Sequence, residues 1–296
     1  FPITGTLIVL IGGIFWFLLP LLTIGSAVDI PDYEKRIAVL YFENRGKQED
    51  SYFSDGLTEE IITRLSRVDK ISVVSRFNVA EYKGKNINLD DIRDNLEADY
   101  LLTGNVMKLD KKIKISVELV DLEKQDVEWS TSFEKNMSDI FSIQDEIAIN
   151  IVENLDITIG SQDKELVLAD PTTNVDAYNA LIKMNSMNAS SIQSNIQQLN
   201  NILKDDSTYA DALGLRGNLI LVSTYFDSDI DQKKAISQSF NDVEKALLID
   251  PLNLYALATL PACNALQITI SENTSSKIIA ARKTLVNINN FKKHYP

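Results

Sequence analysis

The side chains best suited to covalent or metal chemistry are scarce: the chain of 296 residues holds one His, His294, and one Cys, Cys263. A zinc site of His and Cys ligands, a Cys-His pair or a Ser-His-Asp triad cannot be assembled from them. Carboxylates are plentiful, and Glu59 and Glu60 stand side by side, but this pair reads as a solvated helix start rather than a general acid and base. Asp55-Gly56 ahead of a helix could offer free backbone amides to an anion; a lone loop is a weak motif, and a turn and cap is the simpler reading. Gly104 inside a strand reads as a bulge or close-packing position, not a ligand contact. Trp129 and Phe133, on one side of a period-two pattern, read as core. There is no Walker-type loop and no kinase Gly-rich loop. The expectation is a non-catalytic stretch that needs neither cofactor nor metal, any enzymatic activity lying upstream.

The elements that would position these groups emerge from charge and hydropathy. The chain carries 42 acidic against 29 basic side chains, a formal net charge of -13. Residues 29–160 hold 28 of the acidic and 17 of the basic ones. Such a surface repels phosphate backbones, so nucleic acid is not an expected partner. A single Cys gives no redox compartment. No charged residue precedes Asp29, and residues 7–24 read LIVLIGGIFWFLLPLLTI. As a helix this run rises about 27 Å, close to the roughly 30 Å hydrocarbon core of a bilayer. Gly12, Gly13 and Pro20 are tolerated in a spanning helix, where the backbone has no better partner than itself. One transmembrane helix is therefore expected in residues 1–28, with membrane contact through 7–24 and a linker over 29–36. The alternatives are a buried helix and a cleaved leader. Gly25-Ser26-Ala27 has a small-x-small cleavage pattern, although the run exceeds the usual apolar length of about 7–15 residues. A start at Phe1 without Met or a basic leader reads as a fragment of a longer chain. The acidic flank from Asp29 to Glu34, ahead of Lys35 and Arg36, favours an extracytoplasmic position for the downstream residues.

Residues 37–159 read as an α/β module with a mixed sheet. Residues 37–42 are a continuous apolar run, expected of a central strand buried on both faces. Ser54-Asp55-Gly56 offers capping groups, Glu59 and Glu60 fall in a first turn, and Leu57, Ile61, Leu65 and Val68 keep helical spacing. Residues 71–74 form a second strand-like run, 89–96 a short helix and 100–109 a strand. Ile113, Ile115, Val117 and Leu119 alternate with Lys114, Ser116 and Glu118, as in a strand with one wet face. Val127, Trp129, Thr131 and Phe133 repeat that alternation, and the short intervening turns predict an antiparallel meander. Ile140, Ile143, Ile147, Ile151 and Leu155 mark an amphipathic helix that should pack on the sheet.

These residues resemble the TolB amino-terminal-like domain. The resemblance rests on Ile37-Ala38-Val39-Leu40-Tyr41-Phe42-Glu43-Asn44 and on the run from Tyr52 to Ile61. It continues through Val73-Val74-Ser75-Arg76, Tyr82-Lys83-Gly84-Lys85, the run from Tyr100 to Val106 and that from Asp139 to Ala148. Family members often carry Pro where this chain has Tyr41, and a fuller aromatic and acidic pattern after the position of Trp129, so the fold carries over more firmly than any ligand. The resemblance implies a module found beyond a transmembrane helix in bacterial membrane proteins. It also implies tetratricopeptide repeats behind that module and a cyclase, kinase or winged-helix output domain in front.

Residues 160–174 read as a linker, and 175–296 as all-α tetratricopeptide-like helical hairpins. The stripes are Ala177, Leu181, Met184 and Met187; Ile192, Ile196, Leu199 and Leu203; Ile236, Phe240, Val243 and Leu247; and Ile278, Ala281, Leu285 and Ile288, with a long apolar stretch over 210–225. Asp206-Ser207-Thr208-Tyr209-Ala210 and Asp250-Pro251-Leu252-Asn253-Leu254 each end one helix and begin another, 44 residues apart by position, against about 34 for a tetratricopeptide unit. Residues 226–232 can absorb the difference. An ordinary helical bundle is the alternative, and Pro261 should kink its helix or lie in a first turn. The two folded regions are expected to fold separately.

In stacked hairpins the first helix of each unit lines a concave face, which suits a protein or peptide partner. Asn179, Lys183 and Asn218 are the candidate contact residues, with Leu181 and Leu213 turned to neighbouring helices. The functional expectation is an extracytoplasmic sensing and interaction region of a single-pass signalling protein of the bacterial cytoplasmic membrane, residues 29–296 lying in the periplasm. The regulatory part of a cyclase or kinase, and an envelope assembly protein, are the alternatives. Asn136, Asn188 and Asn273 head Asn-x-Ser/Thr triplets that read as chance.

Overall fold

The computed structural model describes residues 33–186, 191–226 and 230–270. The apolar segment 7–24, the stripe from Ile278 to Ile288, and Met187, Asn188, Asn273 and His294 lie outside them. Among the described residues no helix is long and apolar enough to cross a membrane.

Strand β1 (Lys35–Val39) is the centre of the design because both of its faces are apolar. Ile37 and Val39 enter one core cluster, Ala38 and the following Leu40 another, and none is more than 3% exposed. The rest of the sheet comprises β2 (Glu43–Asn44), β3 (Ile71–Val73), β4 (Tyr100–Leu109), β5 (Lys112–Asp121) and β6 (Asp126–Asn136). Their order is β3-β1-β4-β5-β6, and β2 continues beside the far end of β4. The pairs of β1 with β3 and β4, and of β2 with β4, are parallel; β4, β5 and β6 run antiparallel. The mixed sheet and its meander are as the sequence predicts.

Helices cover both faces. Helix α1 (Ser51–Leu65) lies on one side, α2 (Arg76–Val79) and α3 (Leu89–Leu96) on the other, and α4 (Ile140–Asn154) joins α1. The expected stripe of α4, Ile140, Ile143, Ile147 and Ile151, is fully buried on the sheet. Helix α1 starts earlier than its sequence suggests. A 3-10 turn over Gln48–Asp50 leads directly into Ser51, and Phe53 extends the stripe of Leu57, Ile61 and Leu65 by one turn. Ser54-Asp55-Gly56 is thus helix interior, not cap. Two observations explain why the interior accepts it: the Asp55 carboxylate is held by Lys83 at 2.6 Å, and a Cβ at position 56 would sit 2.9 Å from Ile182. The buried Thr58 hydroxyl accepts the Phe42 amide at 3.0 Å and donates to the Ser54 carbonyl, tying α1 to the end of the first strand run.

Gly104 is a close-packing position. A Cβ there would meet the Ser116 carbonyl oxygen at 2.4 Å and the Phe42 ring at 3.0 Å. The alternation expected along β6 breaks once. A register shift between Leu119 and Val120 sets Trp129 opposite Leu119 but Val127 opposite Val120, leaving Glu128 as the extra residue. A bulge of this kind flips side-chain parity. Trp129 and Phe133 therefore pack on the main core, whereas Val127 points to the other face and is exposed.

Six more helices complete the described chain: α5 (Ser161–Val167), α6 (Val175–Ser186), α7 (Ile192–Asp205), α8 (Ala210–Phe226), α9 (Gln232–Ile249) and α10 (Leu254–Ile270). The segment read as a linker carries α5 and buries Val167 and Thr172. From α6 onward successive helices pack on each other, and α8 also packs on α10. Ala177, Leu181, Met184, Leu199, Leu203, Leu213 and Val243 form one cluster across α6 to α9. Pro261 lies inside α10, where the missing hydrogen bond is offset by burial of Leu257, Leu260 and Cys263 on either side.

Candidate functional site

Three turns of the same make precede α6, α8 and α10: Asp170-Pro171-Thr172, Asp206-Ser207-Thr208 and Asp250-Pro251-Leu252. Their short polar side chains satisfy the amides that a helix start leaves open. Asn174 Oδ1 accepts from the Asp176 and Ala177 amides, each at 3.0 Å, and Asn253 Oδ1 accepts from Ala256 at 3.0 Å. Asp206 and Asp250 each accept the amide two residues on. Asp206 also takes the Thr172 hydroxyl, which joins two of the turns. Although burial works against the charged form, these hydrogen bonds hold the Asp206 carboxyl below its ordinary range.

The turns present carboxylates toward the end of α1, where Arg64 in its last turn and Arg67 just beyond it answer. Arg64 is fully buried. Its Nε donates to Glu60 at 3.0 Å, its Nη1 to Asp145 at 2.6 Å and the Val167 carbonyl at 3.0 Å, and its Nη2 to Asp170 at 2.6 Å and Gln144 at 3.4 Å. A guanidinium has five N–H donors, so none is left for an outside ligand. Burial alone would lower the basicity of Arg64, but Glu60, Asp170 and Asp145 outweigh it and the group stays charged. Asp145, half-buried, is raised by burial and by Asp170 in spite of Arg64, because three carboxylates share one cation. Gln144 passes the network to the buried Tyr178 hydroxyl at 2.9 Å, and the Tyr178 ring meets Phe141 edge to face, with centroids 5.4 Å apart.

Arg67, one turn further along, reaches Asp250 at 2.7 Å and the Leu166 carbonyl at 3.0 Å. Asp211, in the first turn of α8, accepts the Asn253 side-chain amide at 2.6 Å. Burial, then repulsion from Glu60 and Asp250, raises its carboxyl to about 7 against the pull of Arg67 and Asn253. Glu60 is therefore no solvated residue at a helix start: its side chain is 10% exposed and is held by Arg64.

Of the three candidate contact residues, Asn179 and Lys183 stand one turn apart on α6 and Asn218 is on α8. Lys183 is exposed on α6, with Nζ 6.0 Å from the centroid of the Tyr52 ring on α1. Asn179 is half-buried, and its Oδ1 is buried without a hydrogen-bond partner. Asn218 donates to Thr259 on α10 at 2.9 Å, a tie between helices. Leu181 and Leu213 are buried among neighbouring helices. Asn136 uses its side chain to cap the turn before α4. Sequence reasoning missed Arg64, Arg67, Asp170 and Asp211. The signal for Asp170 was a second Asp-Pro ahead of a helical stripe, matching Asp250-Pro251. The arginines gave none, since they border an apolar stripe as any solvated residue would.

Among known proteins, residues 33–150 match the family model of the HilA/YgeH-like transcriptional regulator, second domain. The chain is 32% identical over 148 residues to "Putative adenylate cyclase 3" of Rhizobium meliloti (strain 1021), a match covering 50% of this chain and 25% of the relative. It thus spans about a quarter of that relative's length. Solved structures with similarity include TolB from Acinetobacter baumannii, at 19% identity and a TM-score of 0.33, covering 42% of this chain and 29% of TolB. Lipoprotein GNA1162 from Neisseria meningitidis is similar at 15% identity and a TM-score of 0.32, over 40% of this chain and 97% of the lipoprotein.

Proposed function

We propose that this chain is the sensing and protein-interaction region of a longer bacterial signalling protein, anchored through residues 7–24 with residues 29–296 outside the cytoplasm and without catalysis of its own. The observation that carries the signalling role is the 32% identity to a protein named as an adenylate cyclase over half of this chain. Residues 33–150 also match a domain of a transcriptional regulator, which fits a module that serves different outputs. The fully engaged Arg64 cluster supports a structural role for this buried charge. The hairpins, with an Asp-led turn before α6, α8 and α10, fit degenerate tetratricopeptide-like units that take a protein or peptide partner.

Protease protection on spheroplasts of cells making the full-length protein tests the placement. Digestion of residues 33–270 from outside is expected, and protection there with digestion only after lysis would overturn it. A second reading, favoured by the same relative, makes this chain the regulatory part of a nucleotide cyclase whose catalytic domain lies outside it. Cyclic AMP formation from ATP by the full-length protein would support that reading, and its absence alongside specific DNA binding would favour a transcriptional output.

A further inference from the structure

The two edges of the sheet are defended unequally. An edge strand leaves a row of backbone N–H and C=O groups open to another chain, and folds blunt such edges by keeping them short, covered, charged or broken by Pro. Edge strand β3 is blunted by its length, Ile71–Val73. Strand β6 runs from Asp126 to Asn136, pairs with β5 on one side and, among the described residues, has no strand on the other. It holds no Pro, and no charged residue from Trp129 to Phe133. Its bulge is confined to Glu128, near the start. Lys135 is the one cation along the strand, and Glu146 of α4 holds it. Trp129, Thr131 and Phe133 lie opposite the core residues Leu119, Val117 and Ile115, while Ser130 and Ser132 are exposed on the other face.

We propose that β6 is where a second copy of this chain docks, the two strands pairing antiparallel about a two-fold axis at Ser132 and joining two sheets into one. Charge selects both the occupant and the register. A two-fold axis normal to the sheet sets one residue against itself, and opposed residues share a face. Centring on Ser130 brings Asp126 against Glu134 of the second copy, and centring on Thr131 brings Glu128 against Glu134. Like charges directly opposed are destabilising. Centring on Phe133 carries the pairing past Asn136 into the 3-10 turn over Met137–Asp139. Centring on Ser132 opposes no two charges: Thr131 meets Phe133, Ser130 meets Glu134, Trp129 meets Lys135 and Glu128 meets Asn136. The Lys135 ammonium, 5.8 Å from the centroid of its own Phe133 ring, then gains an indole across the axis, a favourable cation–aromatic contact. The strand is thus its own complement from Glu128 to Asn136. Because the axis is normal to the sheet, α4 of both copies stays beneath it and the serines stay on the solvated face.

Disulfide trapping reads the pairing and its register together, in broken cells making the full-length protein, with the protein lacking an added Cys as blank. Ser132 is exposed, its hydroxyl 3.2 Å from that of Ser116 on β5, and Cys263 is buried. Ser132→Cys sets a thiol against itself, where opposed Cα atoms lie about 4.5–5.5 Å apart, within disulfide reach. Oxidation with copper phenanthroline should give a homodimer on a non-reducing gel. Ser130→Cys stands about 14 Å along the strand from its own copy and should give none. With Ser132→Cys in place, Ser130→Glu opposes Glu134 at two symmetric positions and should lower the trapped dimer by about twofold or more. Adding Glu134→Lys turns both contacts into opposite-charge pairs and should restore it. The proposal is overturned by the absence of a homodimer from Ser132→Cys, by adducts to a different protein in its place, or by equal trapping through Ser130→Cys. It is equally overturned if Ser130→Glu causes no loss, or a loss that Glu134→Lys fails to restore.

Discussion

The sheet region and the hairpin region solve the same problem of register in opposite ways. In the sheet, the backbone ladder itself aligns the strands: β4 and β5 are paired residue by residue from Tyr100 with Asp121 to Leu109 with Lys112. Side chains there need only be apolar and well filled, and Ile37, Ile113, Ile115, Val117 and Leu119 are at most 1% exposed. A helix spends its backbone hydrogen bonds on itself, so nothing in the main chain says how one helix should sit on the next. The hairpins supply that information through notches and polar side chains. Gly217 lets α9 approach until a Cβ would be 2.9 Å from Val243, and Ser239 donates to the Gly217 carbonyl at 2.6 Å. Arg216 grips Asp242 at 2.8 and 2.7 Å. The junction of the two regions extends the second strategy, with charge in place of hydroxyls.

This contrast ranks the expected costs of substitution. Arg64→Met should be the most damaging, because it leaves Glu60, Asp145 and Asp170 clustered without their cation. Removing one partner of a buried charge cluster costs about 3–5 kcal/mol, readable as a shift in urea midpoint. Cleavage within 160–174 by limited proteolysis should speed up in the same variant, since that segment provides two of the Arg64 acceptors; an unchanged cleavage rate would break the link drawn between the regions. Gly104→Ala comes next. The added carbon would press on the Ser116 carbonyl, a backbone atom fixed by the ladder, and overpacking of this kind costs about 1–3 kcal/mol. Ser239→Ala should be mildest, at about 1 kcal/mol for the bond to the Gly217 carbonyl with a weaker one to the Cys263 sulfur lost alongside it, but its signature should be local. Exchange protection should drop in α8 and α9 and stay constant in β4 to β6. A uniform drop would show that the hairpins do not set their own register.

Much of the sheet was readable because strand periodicity is local. Alternation in β5 and the stripe of α4 name their buried residues directly, and the unbroken run at Ile37 announced burial on both faces. Helix α1 was misjudged at its start because Ser54-Asp55-Gly56 has the chemistry of a cap. Only the neighbouring Lys83 and Ile182 make it acceptable inside a helix. The bulge at Glu128 escaped for a similar reason: the pattern from Val127 to Phe133 reads continuously, and the shift exists only relative to β5.

What the sequence determined by itself is the set of elements and the apolar face of each, since burial of hydrocarbon depends on residue type and on a period carried within one element. The tertiary structure decided where charge is tolerated. Arg64 and Asp170 are 106 residues apart in the chain and 2.6 Å apart in space, and Arg67 and Asp250 meet across 183 residues. A lone arginine beside an apolar stripe is indistinguishable from a solvated one until its carboxylates arrive. Desolvating a charge is favourable only when its partners are already in place, and that condition is written in no local pattern.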